Sequence, residues 1–232
     1  MSAAVPVIAI DGPSASGKGT VAARVAALLG FHYLDSGALY RLTALAARHS
    51  GLQLPAGALP AALAESIARQ ALALEARFAG ERIFLAGSDV TLALRDEQTS
   101  REASRVAELA PVRAALLERQ RAFRQAPGLV TDGRDMATVV FPDADLKVFL
   151  TASAEERAQR RYKQLKEKGM TANMDDLLRD IRERDARDAS RAHAPLVQDS
   201  RAGLLDTTCL TADAAVEEVL RRYRLCASPA CD

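Results

Sequence analysis

The segment VPVIAIDGPSASGKGT, residues 5–20, joins a short apolar run to a glycine-rich loop. The run at residues 5–11 has the length of a β-strand, and its continuous apolar character is typical of a strand buried on both faces of a parallel sheet. A helical pattern of apolar residues follows over 17–29 and ends at Gly30. These features predict a strand, a loop and a helix in direct succession.

The loop at residues 12–20 has the composition of a phosphate-binding loop, or P-loop. Its glycines allow a tight turn in which backbone N–H groups face a phosphate, and the helix N-terminus adds partial positive charge. Lys18 is placed to reach the β- and γ-phosphates. The hydroxyl that usually follows this lysine is displaced by Gly19, so Thr20 contacts either Mg²⁺ or an α-phosphate oxygen, and the spacing leaves both options open.

Strand and helix patterns alternate along the rest of the chain, which favours an α/β fold with a mostly parallel sheet. A segment at about 52–103 interrupts this rhythm and predicts a small insertion with its own hairpin. Outside the P-loop unit, the patterns predict strands at 33–34, 74–78, 82–86, 90–92, 129–131, 146–150 and 204–206. They predict helices at 38–49, 63–71, 99–125, 154–168, 173–191 and 212–224, with a break at Pro111 in the third of these.

Composition excludes several classes of protein. The 232 residues are 49% hydrophobic and 26% charged, which is ordinary for a folded domain and argues against a disordered chain. No run of about 18 apolar residues is present, so we expect no membrane span. The net charge of +1 gives no support for nucleic-acid binding. We expect a monomer, because no exposed apolar stripe in the pattern demands a partner.

The cysteines and the N-terminal pattern bear on the compartment. Cys209, Cys226 and Cys231 form no paired or metal-binding spacing, which favours free thiols in a reducing environment. The strand-like run that begins at Val5 leaves no room for a signal peptide. We therefore expect a cytoplasmic protein.

Charged residues collect at four further places. The segment TDGRDM, residues 131–136, follows a buried strand, where ligands of open α/β sheets bind. Ser36 stands ahead of a helix that carries Arg41, which suits either an ordinary helix cap or a second phosphate site. Two predicted helices each carry charges on one face, which suits either a solvated ion-paired surface or a ligand site. These residues are Arg157, Arg160 and Arg161 in the first helix, and Arg184, Asp188 and Arg191 in the second.

Four motifs in order resemble the bacterial cytidylate kinases over nearly the whole chain. They are IDGPSASGKGT at 10–20, LDSGALYR at 34–41, GRDMATVVFPDA at 133–144 and ERDARDASRAHAPL at 183–196. The resemblance implies a three-layer P-loop kinase fold with a parallel central sheet, an enlarged insertion that binds the nucleoside monophosphate (NMP), and a short lid. It implies a single domain, 1–232, with a core at 1–35, 105–155 and 192–225, the NMP-binding region at about 36–104 and the lid at about 156–191.

The resemblance also implies an activity, transfer of the γ-phosphoryl group of ATP to CMP or dCMP in pyrimidine nucleotide metabolism. Mg²⁺ would be held mainly by the ATP phosphates and water rather than by a protein cage, with Thr20 as the candidate ligand. ATP would bind Gly12, Pro13, Ser14, Ala15, Ser16, Gly17, Lys18, Gly19 and Thr20. The CMP phosphate would bind Ser36, Arg41, Arg134 and Arg191, the cytosine Ser104, Arg113 and Asp135, and the sugar Arg184 and Asp188; Arg157, Arg160 and Arg161 would belong to the lid.

By role, the residues expected to stabilise the transferring group are Lys18, Arg41, Arg134, Arg157, Arg161 and Arg191. Ala137 departs from the family, which usually has glycine there. An aspartate such as Asp135 accepts a hydrogen bond from the N4 amino group of cytosine, which uracil lacks.

Two alternatives stay open at this point: a P-loop kinase with another small acceptor, such as shikimate or gluconate, and a nucleotide-dependent module that hydrolyses ATP without transfer.

Overall fold

The computed structural model describes residues 5–55, 57–79, 82–167 and 169–227. Cys231 and the predicted helix end at Lys168 lie outside these residues. The chain folds into two compact units, Met1–Leu34 with Phe123–Asp232 (the first unit) and Asp35–Ala122 (the second unit). The expected division into core, NMP-binding region and lid stays a prediction. The second unit continues to Ala122, because the helix at 110–121 packs on the helix at 61–72.

The elements within the described ranges are numbered along the chain. The strands are β1 (Val7–Asp11), β2 (His32–Asp35), β3 (Ala76–Ala79), β4 (Arg82–Leu85), β5 (Ser88–Asp89), β6 (Leu129–Gly133), β7 (Leu146–Thr151) and β8 (Gly203–Asp206). The α-helices are α1 (Lys18–Leu29), α2 (Ser36–His49), α3 (Ala61–Leu72), α4 (Glu97–Val106), α5 (Ala110–Arg121), α6 (Ala154–Glu167), α7 (Met174–Ser190) and α8 (Ala212–Ala227). A 3₁₀ turn lies at Ala93–Arg95 and a π-helical turn at Met136–Val140.

The first unit is built on a five-stranded sheet with the order β2-β6-β1-β7-β8. The central strand β1 pairs in parallel with β6 and β7, and β7 pairs in parallel with β8. The expected α/β fold with a parallel central sheet is therefore confirmed. All five residues of β1 are buried, as its continuous apolar run predicted, and α1 and α8 pack with the sheet in one apolar core.

The strand register brings the functional segments to one edge of the sheet. Asp11, the last residue of β1, lies opposite Gly133 of β6 and Phe149 of β7. The loop after β1 and the segment after β6 therefore leave the sheet side by side, at the carboxyl edge where open α/β sheets bind ligands. The loop also lies directly against β7, since a Cβ atom built at Gly12 would overlap the Leu150 carbonyl oxygen. This close approach requires glycine.

In its described residues, the second unit combines the helices α2 to α5 with a three-stranded antiparallel sheet, β3-β4-β5. The hairpin expected in the insertion is present, but the strand predicted at 90–92 is wrong. The third strand is Ser88–Asp89, because Thr91 turns back and donates from its backbone N–H and its hydroxyl to Asp89 Oδ1. The long helix predicted at 99–125 is two helices, α4 and α5, with Pro111 in the first turn of α5.

No helix in the described part of the chain is both long enough and apolar enough to span a bilayer.

A buried ion pair joins β7 to the segment that precedes β8. Lys147 Nζ lies 3.0 Å from Asp199 Oδ2, and the lysine side chain is only 3% exposed. Asp199 also accepts a hydrogen bond from the backbone N–H of Arg201 through its other oxygen. Because a buried ammonium without a partner is costly, this pair matters more for stability than an ion pair at the surface does.

We predict that Asp199→Asn lowers the free energy of unfolding by about 2 kcal/mol, less than for a fully buried pair because Asp199 retains some exposure. Urea unfolding followed by circular dichroism measures this. The matched control is Asp213→Asn, which removes the carboxylate of the exposed Arg24–Asp213 pair and should change stability by less than about 0.5 kcal/mol. Equal losses in the two variants would contradict the assignment of Lys147 as a buried charge that needs its partner.

Candidate functional site

The loop after β1 has the backbone geometry of a phosphate-binding loop. Gly17 precedes α1 with a φ of 92°, a left-handed conformation that favours glycine. Lys18 is largely buried, and its Nζ donates to the Pro13 carbonyl oxygen over 3.1 Å. The hydroxyl oxygens of Ser14 and Ser16 are buried and make no hydrogen bond within the described part of the chain. Buried hydroxyls of this kind are suited to a bound anion, because unsatisfied polar groups are otherwise costly.

Two arginines of α6 hold this loop from the side. Arg157 donates to the Ser14 carbonyl oxygen over 3.2 Å, and Arg160 donates to the Ser16 carbonyl oxygen over 3.0 Å. The hydroxyl of Thr207, which follows β8, lies 3.3 Å from the Ser16 carbonyl oxygen and 3.0 Å from the Thr151 carbonyl oxygen. Arg160 bonds the hydroxyl and carbonyl oxygens of Thr207 as well. The backbone of the loop is thus fixed by side chains from two distant parts of the first unit.

Asp185 of α7 binds Arg157 through both carboxylate oxygens, over 2.9 and 2.5 Å. The Arg157 side chain is only 5% exposed, so this bidentate pair is stronger than one in solvent. Arg161, the other sequence-predicted member of this helix face, is half-buried beside Arg160. The structure therefore brings Arg157 and Arg160 against the P-loop backbone.

A buried carboxylate binds the arginine that follows β6 and the arginine that follows α7. Asp188, with a fully buried side chain, accepts from Arg134 Nε over 2.7 Å and from Arg191 Nη2 over 2.5 Å. Burial alone would raise the pKa of Asp188, but the positive charges of Arg134, Arg191 and Arg184 outweigh it and hold that pKa below its ordinary value. Of the predicted acceptor residues, the structure brings these four together in the first unit.

The segment that follows Arg134 is a π-helical turn, which sequence periodicity did not predict. Asp135 is buried and precedes this turn, and its carbonyl oxygen accepts from the backbone N–H groups of Val139 and Val140. Asp11 accepts from the N–H groups of Met136 and Ala137. Burial raises the pKa of Asp11 to about 7, and the nearby charge of Asp135 adds to the rise, against the lowering effect of the two backbone hydrogen bonds and of Arg134. Ala137 is accommodated in this turn as a buried residue.

Another buried carboxylate, that of Asp132, faces the beginning of α1. Asp132 of β6 accepts from the Tyr33 hydroxyl over 2.7 Å. A Cβ atom at Gly19 would lie 3.9 Å from each Asp132 carboxylate oxygen, so Gly19 leaves open the space between the helix start and this carboxylate. Thr20 is exposed at the same helix start. Oxygen donors of this kind fit Mg²⁺. Within the described ranges, no group of three or more His, Cys, Asp or Glu side chains is gathered as a metal cage.

The second unit carries its own charged pair at the start of α2. Asp35, not Ser36, caps the helix, because its Oδ1 accepts from the Ala38 N–H. This corrects the expected capping role of the Ser36 hydroxyl. Asp35 Oδ2 also binds Arg41 Nη2 over 2.5 Å. A Cβ at Gly37 would crowd both partners, at 3.1 Å from Asp35 Oδ1 and 3.2 Å from Arg41 Nη1, so glycine leaves room for the pair.

Ser104 and Arg113, the other predicted residues of this unit, lie near the junction of α4 and α5. The Ser104 hydroxyl is buried and has no hydrogen bond within the described residues. Arg113 donates to the carbonyl oxygen of Ala107, one turn after Ser104, over 3.0 Å. Its guanidinium also lies 5.7 Å from the ring centroid of Tyr40. A buried hydroxyl and a guanidinium held by the Ala107 carbonyl oxygen both suit recognition of a polar ligand edge.

A family model described as cytidylate kinase matches residues 8–225. The chain belongs to the cytidylate kinase family. It is 58% identical over 221 residues to a cytidylate kinase of Bordetella bronchiseptica, which covers 95% of this chain and 96% of that relative. It is 59% identical over 219 residues to one of Chromobacterium violaceum, with 94% and 96% covered. The solved structure of TT1252 from Thermus thermophilus is similar at 19% identity and a TM-score of 0.47, over 97% of this chain and 100% of that one.

Four polar residues that contact the P-loop or the segments around it have no individual role in the expectations from the sequence. They are Asp11, Asp132, Asp185 and Thr207. Asp11 and Asp132 stand at the ends of buried strands, and a carboxylate at that position was an available signal. Asp185 and Thr207 gave no local signal, since they act through partners far away in the sequence.

We predict that Asp188→Asn lowers the free energy of unfolding by about 3 kcal/mol at neutral pH, because it leaves the guanidinium groups of Arg134 and Arg191 without their buried counter-charge. Urea unfolding at several pH values measures this. The pKa of Asp188 in the folded protein is lowered, so its ionic contribution is present above the unfolded pKa of about 3.9 and is lost as the pH falls through the folded value. The difference between wild type and variant should therefore shrink below about pH 4.

Asp176→Asn is the control for this prediction. Asp176 pairs with Arg179 on the same helix, but both side chains are more than half exposed. Its removal should change stability by less than about 0.5 kcal/mol. A wild-type-like stability of Asp188→Asn would show that the carboxylate charge does not hold the two arginines.

Proposed function

We propose that this chain transfers the γ-phosphoryl group of ATP to CMP or dCMP and releases ADP with CDP or dCDP. One juxtaposition carries the proposal. The P-loop follows β1, and the Arg134–Asp188–Arg191 cluster begins at the end of the neighbouring strand β6. A donor site and an anionic acceptor site on adjacent parallel strands suit transfer between two phosphates, in a chain of the cytidylate kinase family.

The donor nucleotide would bind at residues 12–20. Backbone N–H groups and the hydroxyls of Ser14 and Ser16 would contact its phosphates, and Lys18 would neutralise charge that develops on the transferring group. Because Lys18 is largely buried, its charge acts in a medium of low polarity and is correspondingly effective. Following the family resemblance, we propose Arg157 and Arg161 as the lid residues that add positive charge here, with Arg160 in the same lid.

The acceptor needs positioning more than activation. A phosphate monoester has a second pKa near 6, so it is already largely ionised at neutral pH and needs no general base. We propose that Arg134 and Arg191 bind this phosphate, with Arg41 and Ser36 of the second unit as further ligands. Bidentate guanidinium groups suit phosphate oxygens and neutralise the repulsion between two anionic nucleotides.

Recognition of the nucleoside follows from residues that accept or donate single hydrogen bonds. We propose that Asp135, Ser104 and Arg113 recognise cytosine and that Arg184 and Asp188 contact the sugar. A buried carboxylate such as Asp135 would accept from the cytosine N4 amino group and would be left poorly paired by the uracil carbonyl.

Mg²⁺ would be bound mainly by the ATP phosphates and water, with oxygen atoms of Thr20 and Asp132 nearby. Mg²⁺ keeps several waters and prefers one or two carboxylates together with phosphate oxygens, which fits this donor set. When bound, it would neutralise phosphate charge. Asp132 is held for this role by the Tyr33 hydroxyl.

We also propose that the protein acts as a cytoplasmic monomer on free nucleotides and not on nucleic acid. The exposed thiols of Cys209 and Cys226 are free, which is typical of a reducing compartment.

A coupled assay of ADP release, with ATP, Mg²⁺ and one acceptor at a time, tests the proposed function. We predict fast turnover with CMP and dCMP and slow turnover with UMP, AMP and GMP. Lys18→Ala should lower kcat by at least about 100-fold, which excludes a contaminating kinase. Turnover that ignores every monophosphate, or that responds only to shikimate or gluconate, would refute the acceptor assignment.

We predict that Asp135→Ala lowers kcat/KM for CMP by about 100-fold and for UMP by less than about fivefold, because only cytosine loses a hydrogen bond to a buried acceptor. Asp135→Asn is the matched variant. It keeps the size of the side chain and adds an amide donor, so it should favour UMP relative to Asp135→Ala. Steady-state kinetics with both acceptors measures this. Equal losses for the two substrates would remove Asp135 from base recognition.

A further inference from the structure

Asp11 is a buried carboxylate that none of the roles above uses. It is the last residue of β1, immediately before the P-loop, and is 2% exposed. Its Oδ1 accepts from the backbone N–H of Met136 over 2.9 Å, and its Oδ2 accepts from the backbone N–H of Ala137 over 2.8 Å. Both oxygens are thus directed at the start of the π-helical turn, which begins one residue after Asp135.

These two hydrogen bonds meet a specific need of the turn. The first N–H groups of any helical turn have no acceptor within that turn, so buried ones need an acceptor from elsewhere. Val139 and Val140 donate to the Asp135 carbonyl oxygen, and Asp11 binds the N–H groups that come just after Asp135. The backbone of Asp135 is therefore fixed on both sides. This backbone sets the point and the direction from which the Asp135 side chain leaves the main chain, next to Arg134.

We propose that Asp11 is a positioning residue, which sets the direction of Asp135 and Arg134 and thereby the discrimination between CMP and UMP. This inference rests on the proposed function, because it takes Asp135 as the residue that recognises cytosine. Both of these hydrogen bonds of Asp11 go to backbone N–H groups, and Asp11 acts through the turn that they begin.

The P-loop does not depend on Asp11 in the same way. The carbonyl oxygens of Pro13, Ser14 and Ser16 are bound by Lys18, Arg157 and Arg160. These contacts hold the loop whether or not Asp11 binds the turn. A change at Asp11 should therefore affect the acceptor nucleotide more than ATP, although Asp11 is adjacent to the P-loop in sequence.

The chemistry of the contact requires a carboxylate. Two N–H donors need two acceptor oxygens, and the two oxygens of the Asp11 side chain supply both. An asparagine of the same size supplies one oxygen and places an NH₂ group against the second N–H, so one of the two bonds is lost. Asp11→Asn is accordingly the most sensitive test, because it keeps the volume of the buried side chain.

We expect Asp11→Asn to lower kcat/KM for CMP by about tenfold or more and to lower the CMP-to-UMP ratio of kcat/KM several-fold, with KM for ATP within about twofold of wild type. Steady-state kinetics with both acceptors gives these values. The control is Asp145→Asn, because Asp145 accepts the Val7 N–H at the opposite end of β1. It should leave the CMP-to-UMP ratio at the wild-type value.

Three results would overturn the proposal: an unchanged CMP-to-UMP ratio in folded Asp11→Asn, an equal loss for CMP, UMP and ATP, or the same ratio change in Asp145→Asn. Asp11→Asn and wild type are compared by circular dichroism before the kinetics. Should the variant not fold, Ala137 is replaced by its α-hydroxy analogue in cell-free translation. This replacement removes the Ala137 N–H that donates to Asp11 Oδ2 and leaves every side chain intact. An unchanged CMP-to-UMP ratio of kcat/KM would then overturn the proposal.

Asp135→Ala separates this inference from the proposed function. If Asp135→Ala lowers the CMP-to-UMP ratio and Asp11→Asn does not, the role of Asp11 fails and the function stands. If Asp135→Ala leaves the ratio unchanged, the assignment of cytosine recognition fails, and the Asp11 proposal as stated fails with it.

Discussion

Carboxylates bound to arginine hold the positive charge of the candidate site in place. Asp188 binds Arg134 and Arg191, and Asp185 binds Arg157. Guanidinium groups that are close together and poorly solvated repel one another, and each is costly to bury without a counter-charge. The carboxylates remove both penalties and fix the direction of each guanidinium before a ligand arrives. Pre-set directions of this kind lower the cost of ordering the site around an anion.

The parts of the fold that depend on short-range patterns were predictable from the sequence. The apolar run before the P-loop, the glycines within it and the helical period after it predicted β1, the loop and α1 within two residues of their observed bounds. Parallel pairing of β1 with β6 then brings TDGRDM beside the P-loop. The position of these two segments at one edge of the sheet could therefore be predicted, because strand ends and loops are encoded locally.

Features that depend on one hydrogen bond or on distant partners were not predictable. The π-helical turn at Met136–Val140 has no apolar period of its own, and its first N–H groups depend on a carboxylate 125 and 126 residues earlier. The contact of Thr207 with the P-loop spans 191 residues. The N-cap of α2 is Asp35 and not the expected Ser36. Both residue types are good caps, so the sequence alone does not select between them.

The occupied donors of each arginine distinguish two kinds of role in the site. A guanidinium has five N–H donors. Arg134 directs Nε to Asp188 and one Nη1 donor to the Gly133 carbonyl oxygen, so most of its donors are not used by these two contacts. Arg157 uses Nε on Ala152, Nη1 on Ser14 and Asp185, and Nη2 on Asp185.

Arg134 can therefore bind a phosphate while Asp188 continues to hold it, which suits a ligand that must arrive and leave in every turnover. Arg157 can bind a phosphate through more than one donor only by giving up one of its present contacts. In the arrangement seen, Arg157 supports the P-loop backbone and is paired with Asp185 of α7. The lid role that the resemblance implies for Arg157 thus requires this arginine to exchange present partners, such as Asp185, for the phosphate.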